Sequence, residues 1–397
     1  MRVKIIPADI GGTVCAVPSK SVAHRALICA ALSDKPTVIK NLFSSQDIVA
    51  TKECLSALGA EFDGETVYPI KKKECALLDC NESGSTLRFM LPVALALGGE
   101  FEFLMRGRLS KRPLSPLYEE LLSHGCNLSE QGTNPIKASG KIKSGIYNLP
   151  GNISSQFITG LLLSLPILEG DSQIRISGEL ESAPYIDITR KVQESFGVFT
   201  EYKDNVFYIK GNQKYISCRE FSVEGDWSNA AVWFCADSIS NKEVICKGVT
   251  KTSAQGDKEI VNILKKIPCE IDVKNTPDLV PVISAVAAVG DGVTKITGAK
   301  RLKIKESNRL ESVKETLLAL GADIKLCDDD IIIKGKKNLL GGTIKSFNDH
   351  RIVMMATIAS IRCTSAVIIE DADAIQKSYP HFFDDFKKLG GILEVEE

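Results

Sequence analysis

Apolar residues fall along this chain in two alternating kinds of run. One kind is apolar on nearly every side: SKSVAHRALICAAL from Ser19, SGSTLRFMLPVALAL from Ser83, SSQFITGLLLSL from Ser154, DWSNAAVWFCA from Asp226, PDLVPVISAVAAV from Pro277 and NDHRIVMMATIASI from Asn348. Such runs predict helices buried all round. The other kind is amphipathic and stops at a glycine: CLSALGAEF at Gly59, YEELLSHGCNL at Gly125, VQESFGVFT at Gly197, ETLLALGADI at Gly321 and FDDFKKLGGIL at Gly390. A sixth copy, VNILKKIPCEI, has Pro268 where the glycine would be. In ETLLALGADI and the residues before it, Leu310, Val313, Leu317 and Leu320 recur at helical steps opposite Glu311, Lys314 and Glu315, which predicts one wet side. Each glycine fits the left-handed position after a helix, and the EFD, NLS, FTEY, EID, DIKL or ILEV that follows fits a short strand.

The pair of runs recurs about every 65 residues, a unit large enough for two helices and several strands. Buried helices surrounded by sheets, with the amphipathic helices outside, make an α/β arrangement built three units at a time. The first three glycine stops precede residue 224 and the last three helix ends follow it, so a domain boundary is expected at Glu224-Gly225-Asp226. Each apolar helix also opens on polar residues, where free N–H groups and about half a positive charge favour an anion. Six such starts facing one crevice would suit phosphate and carboxylate.

Composition narrows the class. The chain has 49 Lys plus Arg against 50 Asp plus Glu, which removes the broad positive field of a nucleic-acid binder and makes any anion site local. Its 12 cysteines are scattered singly and there are only four histidines, so buried cytosolic thiols are expected, with no metal site and no cofactor. No apolar run reaches the ~18 residues needed to span a bilayer, and MRVKII begins as a strand; a cytoplasmic protein without membrane contact is expected.

Several polar residues stand where a charge is costly or where a ligand could be gripped. Lys20, Ser21 and Arg25 lie in the first two turns of the helix after Pro18-Ser19, where the dipole disfavours cations by roughly 0.3–1 kcal/mol each unless an anion is bound. Gly84 permits close approach to the backbone, with Ser83 or Ser85 as cap and Arg88 one turn on. Ser154, Ser155 and Gln156 offer two hydroxyls and an amide. Arg112, Arg309, Arg351 and Lys377 add cations, the arginines suited to bidentate grip. Asp278 opens a buried-looking helix, as an N-cap or something more, and Glu306 stands between Lys305 and Arg309, as a salt-bridged acid or something more.

The motifs PSKSVAHRALI, SGSTLR, KRP, SSQF, APYIDIT, PD, KESNR, NDHR and KSYP, in that order over nearly the whole chain, resemble those of the enolpyruvyl transferases, and most closely the branch that acts on shikimate 3-phosphate. The resemblance implies a two-domain inside-out α/β barrel of six βαβ-type units, three per domain, with residues 14–224 forming one domain and 1–13 joined to 225–397 the other. It implies that Lys20, Ser21, Arg25, Ser154, Ser155, Gln156, Ser182 and Lys305 hold shikimate 3-phosphate, with Tyr185 against its ring and Asp278 at its hydroxyl. Phosphoenolpyruvate would be held by Lys20, Gly84, Arg112, Gln156, Arg309, Arg351 and Lys377, and Asp278 and Glu306 fall on the acid/base positions, with help from Lys20. A monomer with these two small-molecule substrates and no nucleic acid is expected.

The sister branch, which uses UDP-N-acetylglucosamine, is the alternative; it usually carries a reactive Cys where this chain has Gly107. Glu82, His24, Ser85, Asn308 and Arg301 depart from the common pattern without removing a charged ligand or an acid/base group. A non-catalytic anion binder and an RNA 3′-phosphate cyclase are the more distant rivals. One difficulty is visible already: Lys305 and Arg309 should favour the ionised form of Glu306 and make it a poor acid unless bound anions offset them.

Overall fold

The protein is described by a computed structural model over residues 1–71 and 73–396. Its chain divides into two compact units: a middle unit, Pro18–Glu224, and a terminal unit made of Met1–Val17 and Gly225–Glu397. The middle unit contains helices α1 (Lys20–Ala31), α2 (Gln46–Ala57), α3 (Gly84–Leu97), α4 (Leu117–Ser123), α5 (Ser155–Ser164) and α6 (Ala183–Ser195). The terminal unit contains α7 (Trp227–Ile239), α8 (Ile260–Leu264), α9 (Val280–Val289), α10 (Arg309–Ala319), α11 (His350–Ala359) and α12 (Phe382–Lys388).

The odd-numbered helices are the apolar runs and form the cores. Nine of the ten residues of α9 are buried, so it has no wet face on which a polar substitution would be tolerated. Close packing of α3 on α5 depends on Gly160, where a Cβ would come within 2.2 Å of the Arg88 carbonyl oxygen. The amphipathic α10 turns Leu310, Val313 and Leu317 inward, each side chain contributing about 1.5–3 kcal/mol by leaving water. All five expected glycine stops lie at positive φ, between 73° and 105°.

Five four-stranded sheets share one pattern, a parallel pair of strands followed by two antiparallel ones, and in four of them a buried helix joins the parallel pair. In one of them Cys75–Asp79 and Gly99–Leu104 run parallel and the hairpin Cys126–Leu128, Ile136–Gly140 completes the sheet. The expected barrel is not closed: every sheet among the described residues is open, and four strands are too few to close on themselves. The sixth unit is reduced to a pair, Gly12–Cys15 beside Val244–Lys247. Its second helix is only the five-residue α8, because Pro268 replaces the glycine stop and the following Glu270–Asp272 serves as the first strand of the next sheet.

The two chain crossings exchange strands. Gly12–Cys15 precedes α1 but pairs with Val244–Lys247, the strand after α7. Glu220–Ser222 leads to α7 but pairs with Thr37–Lys40, the strand after α1. Residues 14–17, expected with the first three repeats, therefore stay in the terminal unit, and the division falls at Val17/Pro18 and Glu224/Gly225. Arg2–Ile6 completes the last sheet between Val367–Glu370 and Ile392–Glu396. The expectation of buried thiols holds for only half of the cysteines: Cys15, Cys75 and Cys327 are exposed and Cys218, Cys246 and Cys269 partly so, four of them on outward strand positions. No helix among the described residues is long and apolar enough to cross a membrane.

Candidate active site

In the middle unit the helix starts gather polar groups as follows. Ser19, Ser83 and Ser154 cap α1, α3 and α5 by accepting the N–H of Val22, Thr86 and Gln156. Lys20, the first residue of α1, is held at 2.7 Å by Asp47 of α2, so a protein carboxylate offsets the dipole penalty that a bound anion was expected to relieve. Asp47 was not among the sequence candidates; the acidic start of SSQD was its only signal.

Arg25 is a buried cation of this unit. Its buried guanidinium donates to Thr189 Oγ1 (2.7 Å), the Ser21 carbonyl (2.6 Å), the Tyr185 carbonyl (3.0 Å) and Thr159 Oγ1 (3.3 Å), and lies 5.0 Å from the Phe89 ring centroid. None of these partners is charged. Burial accordingly pushes its pKa down to about 9, a state that an anionic ligand would reverse. His24, beside it, is held far below the usual imidazole range by burial and by Lys20 and Arg25, and Thr51 Oγ1 lies 2.7 Å from its Nδ1; it is neutral and has no cation to offer a ligand.

At the start of α3 a Cβ on Gly84 would stand 2.6 Å from Arg112 Nη1 and 3.1 Å from Arg88 Nη1. Only glycine lets both guanidinium groups lie over this helix end. Arg88 donates to Gln156 Oε1 (2.6 Å) and Gln156 Nε2 to Ser85 Oγ (2.9 Å), which fixes the amide across α3 and α5. Arg112 Nε is buried without an acceptor. Ser155 is buried in the first turn of α5, and Ser182 is buried at the start of α6 in the left-handed region, φ 55°. A Cβ at Gly107 would lie 2.5 Å from the Glu82 carboxyl carbon, so this chain has no room for the cysteine of the sister branch without moving Glu82.

The terminal unit is organised around one buried cation. Arg309 donates to Asp349 through Nε (2.8 Å) and Nη2 (3.2 Å), to Asp278 through Nη1 (2.5 Å) and to Glu306 through Nη2 (2.7 Å). Burial works against its charge, but Asp349, Glu306 and Asp278 outweigh it and hold the guanidinium well above its ordinary pKa. Lys305 reaches Asp278 Oδ1 at 3.2 Å; burial lowers its ammonium pKa and Asp278 partly restores it. Asp278 lies in the turn Pro277–Leu279 just ahead of α9, and its Oδ1 is paired with both Lys305 and Arg309. Lys377 donates to the Asn348 carbonyl (2.7 Å), at a turn where Phe347 and Asn348 both have φ 54°.

Arg351 donates to the Ser228 carbonyl (2.6 Å) and hydroxyl (2.5 Å), and its Nε is buried without an acceptor. Asp226 and Asp349 cap α7 and α11, so the helix starts of this unit carry their own carboxylates and are not the open anion sites expected. Arg301 is buried in the turn Lys300–Ile304, and Asn308 precedes α10 without a cap bond. Thus Lys20, Ser21, Arg25, Gly84, Arg112, Ser154, Ser155, Gln156, Ser182 and Tyr185 belong to the middle unit, and Asp278, Lys305, Glu306, Arg309, Arg351 and Lys377 to the terminal one.

The sequence pattern of the EPSP synthase (3-phosphoshikimate 1-carboxyvinyltransferase) family matches residues 5–386. The chain is similar to the 3-phosphoshikimate 1-carboxyvinyltransferase of Clostridium perfringens, 42% identical over 426 aligned positions and all of both chains. With that of Clostridium acetobutylicum it shares 43% identity over 98% of this chain and 97% of the relative. In fold it is similar to an EPSP synthase from Acinetobacter baumannii, with a TM-score of 0.83 at 23% identity over the whole of both chains.

Proposed function

The chain belongs to the EPSP synthase family, and from that premise we propose how its residues perform the reaction. It transfers the 1-carboxyvinyl group of phosphoenolpyruvate to the 5-hydroxyl of shikimate 3-phosphate and releases phosphate, a step of aromatic amino acid biosynthesis. The reaction needs a proton on C3 of phosphoenolpyruvate, attack on C2 by the hydroxyl, then loss of phosphate and of one methyl proton. One group must give a proton and later take one back.

The observation that carries the assignment is that Asp278 and Glu306 share one buried guanidinium, Arg309. Asp278 is the base toward the 5-hydroxyl. Glu306, with Lys20, delivers the C3 proton and accepts it again. Four contacts of Arg309 go to protein carboxylates, so its main part is to hold the two acids, with at most one N–H left for phosphoenolpyruvate. Arg112 and Arg351, each with a buried Nε–H to offer, grip phosphoenolpyruvate together with Lys20, the Gly84 backbone, Gln156 and Lys377. Arg25, buried among neutral partners, suits the shikimate ligand, which Ser21, Ser154, Ser155, Gln156, Ser182, Tyr185 and Lys305 complete.

The test is phosphate release from phosphoenolpyruvate with each of two acceptors. Release is expected with shikimate 3-phosphate and not with UDP-N-acetylglucosamine. Release with the UDP-sugar alone would replace this reading by the alternative one.

A further inference from the structure

The first turn of α7 reaches two segments that carry cations assigned to phosphoenolpyruvate, yet the residues that make the contacts, Ser228 and Asn229, have no part in the steps above. The turn itself is well fastened. Asp226 Oδ1 accepts the Asn229 N–H (2.8 Å), Gln255 Oε1 accepts the Trp227 N–H (3.0 Å), and the Trp227 indole donates to the Thr250 carbonyl (2.9 Å). Side chains that leave this turn therefore start from a fixed base.

Ser228 holds Arg351, which comes from α11. Its carbonyl accepts from Nη1 at 2.6 Å and its hydroxyl from Nη2 at 2.5 Å, two bonds along one edge of the guanidinium. A planar group gripped at both terminal nitrogens is held against swing and against rotation. The adjacent edge carries Nε–H, which has no acceptor, beside the second Nη2–H. Two such donors match the two oxygens of a carboxylate or a phosphate.

Asn229, the next residue and buried, acts on the segment that carries Lys377. Its Oδ1 accepts from the Ser378 hydroxyl (3.1 Å) and its Nδ2 donates to the Ser378 carbonyl (3.5 Å), so one amide closes on both polar ends of Ser378. One turn further along α7, the Trp233 indole donates to the Tyr379 hydroxyl (3.3 Å). The chain is thus fastened to α7 just beyond Lys377, whose ammonium lies on the Asn348 carbonyl (2.7 Å).

We infer that Ser228 and Asn229 are positioning residues for the reaction: Ser228 presents the Nε edge of Arg351 to phosphoenolpyruvate, and Asn229, through Ser378, sets the point from which Lys377 reaches it. This rests on the assignment of Arg351 and Lys377 to phosphoenolpyruvate. Neither residue touches the substrate. Both act before it arrives, by removing freedom from two long side chains that binding would otherwise have to freeze.

The test measures kcat and the KM for each substrate in the full chain and in Ser228→Ala, Ser228→Thr, Asn229→Ala and Arg351→Gln, each also followed by thermal melting. Ser228→Ala keeps the carbonyl bond and loses the hydroxyl one. Its KM for phosphoenolpyruvate should rise roughly tenfold, the effect of one hydrogen bond to a charged group, with kcat and the KM for shikimate 3-phosphate nearly unchanged. Ser228→Thr returns the hydroxyl and should restore the parent KM, a split and a rescue that a purely structural serine would not give. Added to Arg351→Gln, Ser228→Ala should have no further effect, because the guanidinium through which it acts is gone. Asn229→Ala should raise the same KM by a smaller factor, since it acts through Ser378; the parent value there would refute its part. If Arg351→Gln raises the KM but Ser228→Ala does not, or if Ser228→Ala raises it equally with and without Arg351, the positioning role of Ser228 is refuted while the site assignment stands. If Arg351→Gln leaves the KM unchanged, the assignment itself fails and the inference with it. Should either alanine variant not fold, Ser228→Gly and Ser378→Ala, which remove the same hydroxyl contacts, decide by the same comparison.

Discussion

Replacing Arg309 with methionine is expected to destabilise the protein by roughly 3–5 kcal/mol, the cost of stripping the partner from buried charges. Asp349 has no exposed side-chain surface and would keep the neutral Ser307 hydroxyl (3.0 Å) and Arg351 N–H (2.9 Å) as hydrogen-bond donors. Asp278 would keep Lys305, and Glu306 would lose its guanidinium donor. Three carboxylates drawn together by one cation would then repel each other. Arg309→Lys keeps a charge but not the planar fork, so its melting temperature should fall between those of the other two proteins. Thermal unfolding of the three measures this; a methionine variant that melts with the parent would show that Arg309 is not the hub.

The second large effect is on turnover. Glu306→Gln preserves an oxygen acceptor for Arg309 Nη2, now 2.7 Å from the carboxylate, so the fold should survive. It removes the group that gives and retakes the C3 proton, and kcat should fall about 10²–10⁴-fold, the usual contribution of a positioned acid or base. Binding of shikimate 3-phosphate, followed by calorimetry, should be nearly unchanged because that ligand is assigned to other residues. The pairing with Arg309 sharpens the difficulty seen in the sequence: Glu306 must take up a proton beside a cation. The carboxylate and phosphate of phosphoenolpyruvate bring the negative charge that makes this feasible. Unchanged turnover in the variant would end the assignment.

Much of this was legible in the chain because local rules agreed with the global fold. The apolar runs became buried helices, and the glycines after amphipathic helices adopted the left-handed backbone that only they tolerate well. The motif residues fell at helix starts because Ser caps mark those starts. What stayed hidden depends on contacts between distant segments. The pairing of Gly12–Cys15 with Val244–Lys247 joins strands more than two hundred residues apart, and no periodicity announces it. Asp349 was read only as part of a motif, yet it holds Arg309 from a different helix start. Ser228 looks like an ordinary helix residue until the fold brings Arg351 onto it.

The central claim is that a carboxylate on this chain protonates C3 and then removes a proton from the resulting methyl group. Mass spectrometry of the product formed in D₂O from shikimate 3-phosphate and unlabelled phosphoenolpyruvate tests it most directly. Addition followed by elimination predicts deuterium on the vinyl carbon of the product, growing as the reaction is cycled, and its loss along with turnover in Glu306→Gln. A product free of deuterium, formed at full rate, would mean that the group is displaced without C3 ever being protonated, and would contradict the account.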